Sequence, residues 1–477
     1  CIRDSKQIVT GSDTFVPPPS GAFVNQGRGG DGWTPFFDDA GHVFNVWHHS
    51  ALRLACATRL GASCGSAYPF GQGDVFFTGH ASMGTVDETM HRLWIGVNTG
   101  FYSSYGLGTG FICVDIRDVA APKYCGGSQA AAYRKLGGGM NYYGSGPYGN
   151  VKVGTRLYQW ALEGELECLD MAGADGDGTP CPGQPYKFPG IAFTGETSNR
   201  GGSVTWRGTL IGFDGKVYGT GAASFPFGGY NGTGTTVPAM SAVCWDPATD
   251  APCTGWETPK ALPTGKYTTI AYVLPDASGL PQGVCFQEMN LVSGNDATCF
   301  NPDGTTLAQN ATFARSIQAT RTYVALIVGN PVTVGTRIYW TAGEGTYYNG
   351  LRNTINCFDV KTNAVCTGGW PMTYATRGSR AMAYSVTIDP KNSGCLWKND
   401  DQNNIAAINV YDTSQAACGA PLDLEFKAAT LVPRLACSAT SAIESWKDFT
   451  LTSPARVRNR VPRTPMKSAR SRCLKIS

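Results

Sequence analysis

Short runs of alternating apolar and polar residues recur along the chain, and Gly, Asn, Asp or Pro closes each of them. "RLYQWALEG", "KVYGTGAAS" and "RIYWTAGEG" are representative: a basic residue, an aliphatic residue, an aromatic, then a Gly-containing bend. A period of two with such punctuation predicts short β-strands joined by turns, and little of the chain has the 3.6-residue period of an amphipathic helix. "TYVALIVGNPVTV" is strongly apolar, but Gly and Pro interrupt it well before the roughly 20 residues needed to span a bilayer. No transmembrane segment is expected.

One phrase returns at intervals. "INCFDVKTNAVCTGG" (355–369), "AVCWDPATDAPCTGW" (242–256), "FICVDIRDVAAPKYCGG" (111–127) and "LECLDMAGADGDGTPCPG" (166–183) all read Cys, one apolar residue, Asp, a turn-rich stretch, then Cys. "VCFQEMNLVSGNDATC" (284–299) carries Gln287 in place of the Asp, and "LACATRLGASC" (54–64) keeps only the cysteines. Upstream of these stands the phrase of basic or His, aliphatic and aromatic residues, beginning at His42, Arg92, Arg156, Lys216 and Arg337, with "CLW" at Cys395 as its last copy. The closing cysteines, Cys64, Cys125, Cys181, Cys253, Cys299, Cys366 and Cys418, lie about 59 residues apart on average, which defines seven units.

Each unit holds about four strand-like runs that cannot bury their faces alone. An all-β, seven-bladed β-propeller with four-stranded antiparallel blades satisfies them best. Solenoid coils are shorter, and independent sandwiches of this size would have small cores. The expected organisation is an N-terminal arm (1–30), the propeller (31–436) and a C-terminal extension with a basic, disordered tail (437–477). The aromatic phrase becomes strand B and the Cys-x-Asp phrase strand C, so each cysteine pair staples the hairpin of strands C and D. The expected pairs are Cys56 with Cys64, Cys113 with Cys125, Cys168 with Cys181, Cys244 with Cys253, Cys285 with Cys299, Cys357 with Cys366, and Cys395 with Cys418 across a longer spacing. Cys1, Cys437 and Cys473 are left over; a lipid anchor on Cys1 would leave the other two to pair, and otherwise Cys1 could meet Cys437.

"CWDPATDAPCTGW" resembles the blade motif of quinoprotein-type propellers. Cys244, Asp246 and Thr249 match in place, whereas Asp250 stands where that family has Gly, and Trp256 is displaced. Across residues 31–425 the chain is similar to secreted bacterial propellers of actinobacterial type with disulfide-stapled blades. The resemblance implies blade architecture and no particular chemistry. The vicinal Cys-Cys pair of quinone-dependent alcohol dehydrogenases is absent, which weighs against a quinone cofactor.

Composition agrees with this picture. Only 15% of residues are charged, against 61 Gly and 21 each of Tyr and Phe, which suits many short strands and turns. Seventeen cysteines in such a chain point to an oxidising compartment, so a secreted or cell-surface protein is expected. The last 22 residues hold eight Lys or Arg and no acid, so the rest of the chain is net acidic and offers no general nucleic-acid face.

Propeller topology puts the D-to-A and B-to-C loops at one end and the A-to-B and C-to-D turns at the other. The first group includes "NTGFYSSYGLGTG" (98–110), "GGGMNYYGSGPYGN" (137–150), "ASFPFGGYNGTG" (223–234) and "GEGTYYNG" (343–350). Tyr102, Tyr105, Tyr142, Tyr143, Phe227, Tyr230, Tyr347 and Tyr348 are the candidate ligand-binding residues, because rings with hydroxyls on a rigid scaffold suit sugars or peptide side chains. Rings folded back to plug the channel are the alternative.

Catalytic candidates are few. Glu163 and Glu165 in "ALEGELEC" sit at a B-to-C turn, and a glycosidase needs two carboxylates flanking its scissile bond, a separation reached here only if the turn splays them. A solvated acidic turn is the simpler reading. Asp175 and Asp177 in "ADGDGTPC" make calcium the one cofactor suggested, although the downstream Glu of an EF-hand is missing. The adjacent His48 and His49 would point to opposite faces of a strand and could not share a metal. Asn231 and Asn310 head glycosylation sequons. The leading expectation is a non-enzymatic secreted or surface propeller that binds glycan, cell-wall polymer or surface protein, an adhesion module. An extracellular glycan hydrolase or lyase, and a self-assembling subunit of a surface layer or fibre, are the alternatives.

Overall fold

The structure of the chain is a computed structural model. It describes residues 31–32, 35–48, 52–58, 64, 68–69, 84–99, 108–137, 150–160, 164–173, 176–191, 209–222, 240–262, 269–288, 297–319, 330–344, 352–374, 383–389, 392–400 and 405–409. Two compact units partition the chain, Cys1–Thr430 and Leu431–Ser477, and all the described residues belong to the first.

Those residues form seven antiparallel sheets in chain order. In the third, strands A to C are Asn150–Val153, Arg156–Trp160 and Glu165–Asp170, and strand D is split into Thr179–Pro180 and Tyr186–Lys187. The second, fourth and sixth sheets split strand D in the same way. Residues 383–409 give the seventh sheet three strands among the described residues. Each innermost strand packs against the innermost strand of the next sheet, and Phe36–Phe37 of the first contacts both the second and the seventh. This is a β-propeller, as the repeat predicts.

The alternation along strand B explains its recurring phrase. Leu93 and Ile95 face back into a core shared with Phe44 and Leu54 of the first sheet, while Trp94 faces forward onto Leu157, Leu169 and Met171 of the third. Leu157 thus points back and Tyr158 points forward, into a core completed by Leu210, Val217 and Trp245 of the fourth sheet. Similar shared cores join the fourth sheet to the fifth, the fifth to the sixth and the sixth to the seventh. The aliphatic residue closes the seam behind, and the aromatic opens the seam ahead. Phe37 lies edge-on to Trp397, 6.0 Å between ring centroids, where the first and seventh sheets meet.

The staples sit in those forward seams. Phe44, Trp94, Tyr158, Tyr218 and Tyr339 lie directly opposite Cys56, Cys113, Cys168, Cys244 and Cys357 on strand C. Each of these cysteines is bonded to the expected partner at the break in strand D or just after strand C, with Cα atoms 5.3–5.5 Å apart. Cys395 is also disulfide-bonded, and Cys418 lies outside the described residues.

The fifth sheet departs from the expected placement. Cys285 and Cys299 are bonded as expected, but they lie directly opposite each other on strands B and C, with Cα atoms 4.0 Å apart. Cys285 occupies the place of the strand-B aromatic, so "VCFQE" is a B strand that only imitates the C-strand phrase. The true C strand is "ATCF", and Asn301 follows it where the second, third, fourth and sixth sheets have Asp. A nine-residue helix, Ala311–Ala319, follows strand D, and its Phe313 wedges between Tyr272 of the fifth sheet and Trp340 of the sixth.

Two outcomes test this architecture. Replacing Cys357 and Cys366 together with Ser should lower unfolding stability by about 2–3 kcal/mol, measured by denaturant titration. Gly255→Ala should cost about 1–2 kcal/mol from its left-handed backbone alone. Its φ is +81°, and a Cβ there would lie 1.9 Å from the Asp303 carbonyl oxygen across the seam between the fourth and fifth sheets.

Candidate functional site

At the turn end, many described carboxylates and arginines have a structural task. The Asp that closes the C-strand phrase accepts the backbone N–H two residues on: Asp115 from Arg117 (3.0 Å), Asp170 from Ala172 (3.2 Å), Asp246 from Ala248 (2.9 Å) and Asp359 from Lys361 (2.9 Å). Each carboxylate thus forms an Asx turn that sets the C-to-D reversal. The Arg117 guanidinium, hydrogen-bonded to Asp115, holds that carboxyl below the usual carboxylate range.

In the second and third sheets the basic residue that opens strand B reaches into the next sheet, whereas Arg337 of the sixth faces Asp359 on strand C of its own sheet at 3.7 Å. Arg92 meets the Asp177 carboxylate at 2.9 Å and donates to the Gly176 carbonyl, while Arg134 Nε donates to the Asp177 carbonyl at 2.8 Å. Arg156 repeats the arrangement one sheet later, donating to the Asp250 carboxylate and, at 3.0 Å, to the Pro247 carbonyl. Burial, followed by the charge of Asp250, pushes the Tyr186 hydroxyl up to about 12, so this ring stays neutral in the same seam. His42, in the first sheet, turns instead to its own Asp38, with 2.6 Å between Nδ1 and Oδ2.

Two of the candidate residues are among those described. Asp177 is held by Arg92 of the second sheet, and Asp175 lies outside the described residues. Among the described residues no group of three or more His, Cys, Asp or Glu side chains could hold a metal ion. Glu165 pairs with Lys187, its register partner on strand D, at 2.8 Å, and Glu163 lies outside the described residues.

The opposite end is framed by strand termini. Tyr102, Tyr105, Tyr142, Tyr143, Phe227, Tyr230, Tyr347, Tyr348 and Asn231 all lie outside the described residues. The strands that lead into their loops are described, and between the second and third sheets they converge on one carboxylate. Glu167 is fully buried. Its Oε2 accepts from Gln159 Nε2 at 2.7 Å, and its Oε1 accepts from the Thr109 hydroxyl. A Cβ on Gly137 would fall 2.1 Å from that same Oε1.

Thr109 follows the 100–107 loop, Gly137 precedes 138–149, and Gln159 and Glu167 flank 161–163. One carboxylate is thus the footing of three loop bases. Sequence reasoning passed over Glu167 in favour of its neighbours. A signal was present: the residue before the C-strand cysteine is Ile112 in the second sheet and Val243 in the fourth, and only a specific partner set would place a Glu there. Asn330 performs a comparable task nearer the axis, joining Thr209 (2.7 Å) and the Leu210 carbonyl (3.0 Å) of the fourth sheet to the Ala271 N–H (3.0 Å) of the fifth.

No family model matches the chain, and no curated protein matches it. Among solved structures it is similar to Sqt1 from Saccharomyces cerevisiae, at 8% identity over 83% of this chain and 87% of that one, TM-score 0.41. It is also similar to BamB from Moraxella catarrhalis, at 14% identity over 76% and 93%, TM-score 0.36. Both are β-propeller proteins. A third similar structure is the computationally designed Ika8 protein, at 8% identity over 81% and 98%, TM-score 0.37.

Two measurements follow. Glu167→Ala leaves the Gln159 amide and the Thr109 hydroxyl without their acceptor and should lower stability by about 1–3 kcal/mol in denaturant titration. Asp115 has its folded pKa below the unfolded value, so its contribution is present above about pH 4 and is lost as pH falls through the folded value. In acid titration followed by circular dichroism, Asp115→Asn should therefore reduce the loss of stability below about pH 4 and leave the slope between pH 5 and 7 unchanged.

Proposed function

We propose that the chain is an extracellular seven-bladed propeller that binds glycan, cell-wall polymer or protein through the end formed by its B-to-C and D-to-A loops. The observation that carries this reading is the division of labour between the two ends. Asx turns and arginine clasps occupy the turn end and give many of its charged groups a partner within the fold. The longer loops rich in Tyr, Phe and Gly belong to the other end. Six disulfides among the described residues fit folding in an oxidising, extracellular compartment. No described helix is long and apolar enough to cross a membrane.

The test is a glycan array, with purified cell-wall polysaccharide and surface-protein extracts alongside. Tyr142→Ala with Tyr143→Ala, or Tyr347→Ala with Tyr348→Ala, should weaken binding at least about tenfold, or about 1.4 kcal/mol. The Cys357→Ser, Cys366→Ser protein should bind normally where it remains folded. Unchanged binding in both tyrosine variants would refute the loop-end site, and turnover abolished by Glu163→Gln would establish the hydrolase instead.

A further inference from the structure

The two sequons differ in what surrounds them. Asn231 lies outside the described residues, whereas Asn310 is described and stands at the head of the outer helix of the fifth sheet. Its Oδ1 accepts the Phe313 N–H at 2.9 Å, and its carbonyl accepts the Ala314 N–H at 2.9 Å, so it caps that helix. Asn310 is half-buried, and among the described residues its Nδ2 makes no hydrogen bond. Thr312, the third sequon residue, meets Asn363 Nδ2 at 3.2 Å. Asn363 belongs to the C-to-D turn of the sixth sheet, which puts Asn310 on the outer rim towards the turn end.

We propose that Asn310 is a site of N-linked glycosylation whose donor is an oligosaccharide carried on a lipid-linked diphosphate. Nδ2 forms the bond to the anomeric carbon, the bond between that carbon and the diphosphate oxygen breaks, the lipid diphosphate departs, and the amide releases one proton. The linkage uses only the nitrogen, so Oδ1 continues to cap the helix and the folded chain accommodates the glycan without rearrangement. The sugar leaves the rim away from the loop end. This inference stands whether or not the loop end binds a ligand.

The full chain, secreted from a eukaryotic host that N-glycosylates, is digested with peptide:N-glycosidase in heavy-oxygen water and mapped by mass spectrometry. The peptide spanning 310–312 should carry labelled Asp at 310. Thr312→Ser should retain the modification, and Asn310→Asp should abolish it while keeping the cap and the thermal midpoint. Site-level mapping separates Asn310 from Asn231. A folded, secreted chain with Asn310 unmodified overturns the proposal. So does a glycan found at Asn310 only on chains retained unfolded inside the cell.

Discussion

Each sheet of this protein is apolar on both faces and too small to cover either, so successive sheets must bury one another. Every other feature of the described structure is subordinate to that mutual burial. Strand B assigns its aliphatic residues to the seam behind and its aromatic to the seam ahead. The cysteine opposite that aromatic makes the staple part of the seam: Cys113, Cys168, Cys244 and Cys357 are fully buried. A bond that links two strands of one sheet also supplies apolar sulfur to the core shared with the next.

Polar contacts cross the seams in both directions: Lys152 Nζ and Thr333 Oγ1 donate back to the Val86 and Val273 carbonyls of the preceding sheets. Arg92 and Arg156 reach forward to the C-to-D turn of the following sheet, and Trp160 Nε1 and Trp256 Nε1 donate forward to the Thr209 and Pro302 carbonyls. Arginine suits this task because its fork can engage a carboxylate and a backbone carbonyl together and stays charged at any ordinary pH. The turn end is thereby committed to holding sheets together. The loop end, where Glu167 and Asn330 secure only the strand termini, is left to vary in length and composition.

Much of the fold was legible because the seam imposes a residue type at a fixed register. The basic, aliphatic, aromatic triplet and the Cys-x-Asp phrase are each the trace of a contact: clasp, rear core, forward core, staple and Asx turn. Illegibility began where one contact replaced another of similar size. Cys285 fills the site of an aromatic, and its phrase looks like a C strand because sequence spacing does not record which neighbour a strand faces. Glu167 was hidden for a related reason. Its role depends on Thr109 and Gly137, which belong to another sheet and stand far from it in the chain, while the nearer Glu165 and Glu163 suggested chemistry by adjacency alone. The loop residues chosen for their rings carry no register, and so the repeat had nothing to say about how they are arranged.

The alternation along strand B gives the sheets two unlike faces, with an aromatic turned to the seam ahead in the second, third, fourth and sixth sheets and aliphatic residues turned to the seam behind. In the language of oligomers, these are head-to-tail contacts confined within a single polypeptide, and head-to-tail contacts terminate only when the rotation per unit closes a circle. Phe36 and Phe37 complete that circle by meeting the second and seventh sheets at once. A chain cut between two sheets would expose a donor face on one fragment and its matching receiver on the other. Fragments of this protein therefore carry the instructions for their own reassembly, and the same complementarity makes exchange of sheets between neighbouring copies the characteristic hazard of its folding.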